Sequence, residues 1–169
     1  MKNKVVDLAN KVVSKIKPFC KRIEIAGSIR RGSVSPRDID IVLIPKDTEN
    51  FLFSVPFKSG KFEGKIKIEN EMKKLGKFIQ GGEKKSRWIL HGIQTELYYT
   101  NEQEWGATLL AYSSKKGSAI GLRIVARLKG LKLTQHGLFN RKTGKFIAGK
   151  TEHDIYKALG RPYKLPENR

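Results

Sequence analysis

Apolar positions near the start of the chain recur at helical spacing. Val5, Ala9, Val12, Val13 and Ile16 fall on one face with lysines between them, which predicts an amphipathic helix closed by Pro18. The period then changes to two. Residues 22–26 read as a short strand that stops at Gly27, and residues 38–44 as a second strand ended by Pro45. The stretch between them is turn-rich and basic. Over residues 46–76 the pattern is weak: 51–57 reads as strand or buried loop, and 69–75 as one or two helical turns. Strands are expected at 76–80 and 87–91, joined through Gly81-Gly82, with another at 93–100 after Gly92.

The second half alternates differently. Asn101 is placed to cap a helix through 104–112, whose first turn is acidic as the helix dipole prefers. A further helix over 118–129 ends before Gly130, with Ile120, Ile124, Val125 and Leu128 as its apolar stripe and Lys116, Arg123 and Arg127 along another face. Short strands at 131–133 and 137–140 follow, then a turn at Lys142-Thr143-Gly144. Thr151 and Asp154 have capping spacing for a last helix to Leu159. The elements together predict an α+β protein, a mixed β-sheet with helices on one side. A length of 169 residues suits one compact catalytic unit with room for two lobes.

Charge sharpens this picture. Thirty-five Lys and Arg against sixteen Asp and Glu give a net charge of +19, which points to a polyanionic partner, nucleic acid first. From Trp105 to Thr151 there are ten Lys and Arg and no acidic residue, whereas an ordinary solvated face mixes both signs. Composition alone leaves open a structural RNA-binding protein or a highly charged thermophile surface. Cys20 is the only cysteine, which excludes an intramolecular disulfide and a Cys zinc cluster and fits a reducing, intracellular location such as cytoplasm, nucleoid or viral particle. The charged N-terminal segment is neither signal peptide nor membrane span, so no membrane partner is expected.

The candidate chemistry lies early in the chain. Asp38 and Asp40 are two apart on a predicted strand, so their carboxylates share a face and call for a cation between them. Magnesium takes oxygen ligands and binds substrate phosphates as well, and a pair of ions can serve the attacking and leaving oxygens together. The preceding Gly27-Ser28 turn offers backbone N–H groups and a hydroxyl, and Arg30-Arg31-Gly32 adds guanidinium forks. Such an anion cradle ahead of a dicarboxylate suits a magnesium-bound triphosphate. His91, His136 and His153 lack metal-ligand spacing and are read as structural.

Gly27-Ser28-Ile29-Arg30-Arg31-Gly32 followed by Asp38-Ile39-Asp40-Ile41 resembles the signature of the family X DNA polymerases, the group of polymerases beta and lambda. His136-Gly137-Leu138-Phe139, Thr151 to Tyr156, Leu159-Gly160 and the segment from Tyr163 to Arg169 resemble that family's thumb, so the likeness spans nearly the whole chain. It implies a nucleotidyltransferase palm at 1–104 followed by a small α/β thumb subdomain at 105–169. Residues 46–76 carry it least. No lyase or fingers domain is expected.

The resemblance also implies roles. Asp38 and Asp40 would bind both metals (Mg2+, with Mn2+ able to substitute), and Glu96 stands where the family has the third carboxylate, an Asp that assists deprotonation of the primer 3′-hydroxyl. Glu is one methylene longer, which puts geometry and rate in question. Ser28 and Arg31 would hold the β- and γ-phosphates of a dNTP, with Gly27 permitting close approach and Tyr112 beside the incoming sugar. Ser113-Ser114 departs from the usual Thr-Gly. Lys116, Arg123 and Arg127 are the expected DNA-binding residues, Arg123 matching a template-strand contact, while Ala119 replaces an Asn that probes the nascent pair. Lys84 and Lys85 read as template-phosphate contacts or as a solvated hairpin tip.

The implied function is a monomeric, template-directed DNA polymerase filling short gaps in gapped or primer–template DNA, as in DNA repair. The alternatives are a template-independent or RNA-end nucleotidyltransferase, a small-molecule adenylyltransferase, and a nucleic-acid-binding module impaired at Glu96. The ten-cation segment argues against a small acceptor.

Overall fold

The computed structural model describes residues 4–46 and 63–169, so the strand or loop expected at 51–57 lies outside the described residues. The chain divides into two compact units, one of residues 1–25 and 35–99 and one of residues 26–34 and 100–169.

The first unit is built on a sheet. Helix α1 (Lys4–Ile16) buries Leu8, Ala9, Val12 and Ile16, and a short turn of 3-10 helix at Lys17–Phe19, with Pro18 inside it, ends the run. Strands β1 (Cys20–Ile25), β2 (Ile39–Pro45), β3 (Lys77–Gly81), β4 (Lys85–Leu90) and β5 (Ile93–Tyr99) form one sheet in the order β1-β2-β5-β4-β3. Only the β2–β5 pair is parallel; the others are antiparallel, so the expected mixed sheet is observed. Ile39, Ile41, Val42, Leu43 and Ile44 are all buried, as a central strand covered on both faces requires.

Helix α3 (Glu63–Leu75) is longer than the helical turns expected at 69–75. Its lysine-rich sequence hides a sparse core stripe of Ile68 and Met72. Gly64 lets it approach β2's end, since a Cβ there would sit 2.1 Å from the Lys46 carbonyl oxygen. Helices α1 and α3 touch each other and both contact the sheet, which places them on one side of it.

The second unit contains the short helix α2 (Gly27–Arg30), helices α4 (Trp105–Ser113), α5 (Lys116–Leu128) and α6 (Glu152–Ala158), and an antiparallel sheet β6 (Leu131–Thr134), β7 (Gly137–Asn140) and β8 (Phe146–Ala148). The third strand had no clear sequence signal because it is three residues long. Ala107, Leu110, Leu122, Ala126, Leu138, Ala148, Ile155, Tyr156 and Leu159 make its core. Thr151 caps α6 as its spacing predicts, its Oγ1 accepting from the Asp154 N–H at 3.0 Å. The Asn101 side chain instead caps the turn before α4, accepting from the N–H groups of Gln103 and Glu104.

The stripe expected on α5 is corrected. Ile120, Ile124 and Leu128 are exposed, Leu128 at 82%, and Val125 is half-buried, while Leu122 and Ala126 are buried. The side of the helix that packs is fixed by its contact with β6, which a count of large apolar residues along the helix does not reveal. Among the described residues no helix is long and apolar enough to cross a membrane.

Candidate active site

The carboxylates gather on the first unit through strand register. In the parallel β2–β5 pair Asp40 lies beside Glu96, and Asp38 comes one residue before β2 begins, two residues from Asp40. Tyr98 is two residues beyond Glu96 on β5. Its hydroxyl is shared between the Asp40 Oδ1, at 3.2 Å, and the Glu96 Oε2. Burial raises the Asp40 pKa, and the neighbouring negative charges of Asp38 and Glu96 add to it, against the opposing Tyr98 hydrogen bond and Lys85 charge; the carboxyl is pushed up to about 6. A half-buried carboxylate repelled by two others is a group that a cation would relieve.

Glu96 behaves oppositely. Burial alone would raise its pKa, but hydrogen bonds from Lys85, Tyr98 and Arg87, with the charge of Lys85, outweigh burial and hold it below the usual range. Lys85 Nζ is 2.7 Å from Oε2 and Arg87 Nε donates to Oε1 at 2.7 Å. Lys85 is therefore not simply a solvated hairpin tip; it is ion-paired to Glu96 with its side chain partly exposed. Sequence points to Lys85 only as a phosphate contact or hairpin tip and does not point to Arg87, although a signal for both pairings exists. His91 (φ 49) and Gly92 (φ 80) form a two-residue left-handed turn that pairs Leu90 with Ile93, which sets Arg87 opposite Glu96 and Lys85 opposite Tyr98. Alternation along β4 then sends Ser86, Trp88 and Leu90 into the core and leaves Lys85 and Arg87 on the Glu96 side.

The Gly27 turn belongs to the second unit. Gly27 opens α2 at φ 61, a backbone that favours glycine, and Gly32 follows at φ 72. The Ser28 hydroxyl is buried with no hydrogen-bond partner, an arrangement that is costly unless an acceptor arrives. Arg31 Nη1 donates to the Ser113 carbonyl at 3.2 Å. Arg30, which sequence grouped with Arg31, serves a different end. Its two Nη atoms each donate to a Glu152 oxygen at 2.9 Å, and Arg169 Nη1 donates to the same carboxylate at 2.6 Å. Burial pushes the Glu152 pKa up, but those two guanidinium groups reverse the effect and keep it ionised.

Tyr112 is half-buried near the end of α4, and Lys116, Arg123 and Arg127 are exposed on α5. Arg123 and Arg127 join Lys132 and Arg141 around an open hollow of about 410 Å³, a cationic surface suited to phosphates. His136 Nδ1 pairs with Glu104 at 2.7 Å and His153 stacks on Tyr163, so both have structural partners.

Asp38 and Asp40 fit a hard divalent cation, because an oxygen-only donor pair with a raised carboxyl pKa is what such an ion neutralises. Glu96 does not join them as a free ligand, since its oxygens are engaged by Lys85, Arg87 and Tyr98. Among the described residues no group of three or more His, Cys, Asp and Glu side chains is disposed to hold a metal ion.

Comparison with known proteins bears on what this arrangement serves. Residues 108–169 match the family model described as DNA polymerase beta thumb. The chain is similar to the Repair DNA polymerase X of African swine fever virus, 27% identical over 155 residues that cover 91% of this chain and 84% of the viral protein. It is also similar to the DNA polymerase lambda of Rattus norvegicus, 27% identical over 164 residues, 85% of this chain and 28% of that one. The DNA polymerase IV of Saccharomyces cerevisiae is 26% identical over 136 residues, 80% of this chain and 21% of that one.

Proposed function

We propose, from the premise that this chain belongs to family X of the DNA polymerases, that it is a DNA-directed DNA polymerase adding deoxynucleotides to a primer 3′-hydroxyl in short gaps of DNA. The observation that carries the reading furthest is the carboxylate group itself: Asp40 paired across β2–β5 with Glu96 and raised in pKa by burial and by the charges of Asp38 and Glu96. Family X polymerases are metal-dependent, and magnesium, with manganese able to substitute, is the ion that the oxygen donors of Asp38 and Asp40 suit. Bound there as a pair, the ions would supply charge neutralisation at the reacting phosphate and at the attacking and leaving oxygens.

The chain's own residues do the rest by positioning and charge. Asp38 and Asp40 present oxygens to the cation, and Tyr98 holds the Asp40 rotamer through its hydroxyl. Glu96, ion-paired in this arrangement, becomes available only when Lys85 and Arg87 yield it. The unpartnered Ser28 hydroxyl and the Arg31 guanidinium donate to the β- and γ-phosphates of the dNTP, and Gly27 keeps the turn open to close approach. Tyr112 stands beside the sugar. In the reaction the primer hydroxyl gives up its proton to Glu96 once that carboxylate is released, its oxygen bonds to the α-phosphorus, the bond from that phosphorus to the bridging oxygen breaks, and pyrophosphate leaves. Lys116, Arg123 and Arg127 carry the DNA phosphates. Residues 1–104 act as palm and residues 105–169 as thumb, in a monomeric enzyme.

A second reading draws support from the engaged Glu96: a DNA-binding module without turnover. One assay separates the readings. The protein is incubated with a gapped duplex carrying a labelled primer, one dNTP at a time, and magnesium. Extension only with the nucleotide complementary to the template, lost in Asp40→Ala with DNA affinity retained, supports the polymerase. Addition blind to template indicates a terminal transferase, and binding without extension the inert module.

A further inference from the structure

Glu96 is the carboxylate that the proposed chemistry needs and the structure ties most tightly. It is 7% exposed. A carboxylate offers about four lone-pair positions, and here the partners are Lys85 at 2.7 Å on Oε2, Arg87 at 2.7 Å on Oε1, Gln94 at 3.5 Å on Oε1 and the Tyr98 hydroxyl on Oε2. A cation approaching Glu96 therefore has to replace a contact rather than fill a gap.

We propose that Lys85 and Arg87 are internal competitors for the metal at Glu96, so that this pair sets how tightly a second divalent ion is held. The proposal rests on the polymerase reading above, and it adds to that reading the effect of Lys85 and Arg87 on metal affinity.

Charge balance supports it. Asp38, Asp40 and Glu96 carry three negative charges, and Lys85 and Arg87 return two, so the group is close to neutral before any ion arrives. One divalent ion at Asp38 and Asp40 leaves a single positive charge. A second, with both cations still in place, leaves three, an arrangement that like-charge repulsion opposes in a partly buried site. The second ion is therefore tied to withdrawal of Lys85 or Arg87, or to the negative charge of the triphosphate.

The geometry also allows the withdrawal. The side chain of Lys85 is 39% exposed and that of Arg87 33%, so each has solvent to return to. Lys85 Nζ also lies 5.1 Å from the centre of the Tyr98 ring, a contact it makes together with the ion pair. An aliphatic residue at either position would leave Glu96 with one cation fewer beside it until metal bound.

Manganese binding to the full chain, followed by the free-ion electron paramagnetic resonance signal, tests this without turnover. Wild type should bind one ion well and a second weakly. Lys85→Gln and Arg87→Gln should each tighten the second ion about tenfold, the scale on which residues around a metal ligand act, and Arg87→Lys should stay near wild type. The tightening should disappear when Glu96→Gln is added to Lys85→Gln. Unchanged manganese affinity in both Gln variants overturns the proposal, as does a tightening that persists in the double variant, which would mean a general charge effect. Asp40→Asn is read separately: retention of both ions in it would instead overturn the polymerase reading. Circular dichroism of each variant checks folding, and because Lys85 and Arg87 are separate probes of one competition, either suffices.

Discussion

Asp40→Asn should make the metal-free protein more stable while removing its activity. In the folded chain burial and the charges of Asp38 and Glu96 push the Asp40 pKa from 3.8 to about 6. Because the folded value lies above the unfolded one, deprotonation opposes folding. The penalty is absent below about pH 4, where the carboxyl is protonated in both states, grows between about pH 4 and 6, and is complete above. A shift of that size corresponds to about 3 kcal/mol at pH 8, and partial exposure reduces the expected gain to about 1–3 kcal/mol. Asparagine still offers Tyr98 an acceptor oxygen, so little is lost in exchange. For a chain of this length the gain amounts to a rise in Tm of about 3–9 °C. The chain has two tryptophans, Trp88 fully buried in the first unit and Trp105 in the second. In a Trp105→Phe background, Trp88 fluorescence reports the unit that contains Asp40. Urea and thermal unfolding in EDTA at pH 4 and pH 8 give the comparison. An Asn variant no more stable than wild type at pH 8, or a difference that does not shrink at pH 4, would refute the account of Asp40.

Three further expectations follow from other parts of the structure. Leu122→Ala should destabilise by about 2–5 kcal/mol whereas Ile124→Gln on the same helix should stay within about 0.5 kcal/mol, because Leu122 is 9% exposed and Ile124 53%; equal effects in urea unfolding would contradict the assigned buried face. Glu152→Ala removes the carboxylate to which Arg30 and Arg169 are both bonded, and should cost about 3–5 kcal/mol in thermal unfolding; a neutral result would show the three charges to be solvated. Arg127→Ala should weaken DNA binding and lower the slope of log affinity against log salt by about one; an unchanged slope removes Arg127 from the interface.

The fold was legible where local pattern and tertiary environment agree. β2 and β5 are runs of β-branched and aromatic residues bounded by turn formers, and they sit where alternation puts them. Thr151 capped the helix its spacing predicted because capping is a contact over three residues. Helix α5 misled, since Ile120, Ile124 and Leu128 form a better apolar stripe than Leu122 and Ala126, and only contact with β6 decides which side is buried. At the candidate site the motif brought Asp38, Asp40 and Glu96 into view, but not what surrounds Glu96. Lys85 and Arg87 reach it through strand pairing, and the pairing is written in the His91-Gly92 turn rather than in any motif. Arg30 shows the reverse limit: two adjacent arginines in one turn look alike in sequence, yet one ends on Glu152 and the other on a backbone carbonyl.

Asp38 and Asp40 are the residues proposed to hold the catalytic divalent ion. Crystals soaked with manganese and a non-hydrolysable deoxynucleoside triphosphate, measured at the manganese absorption edge, test it directly. The account predicts an anomalous peak about 2.1 Å from carboxylate oxygens of both residues. A peak bound elsewhere on the chain, with Asp38 and Asp40 turned apart, would contradict it.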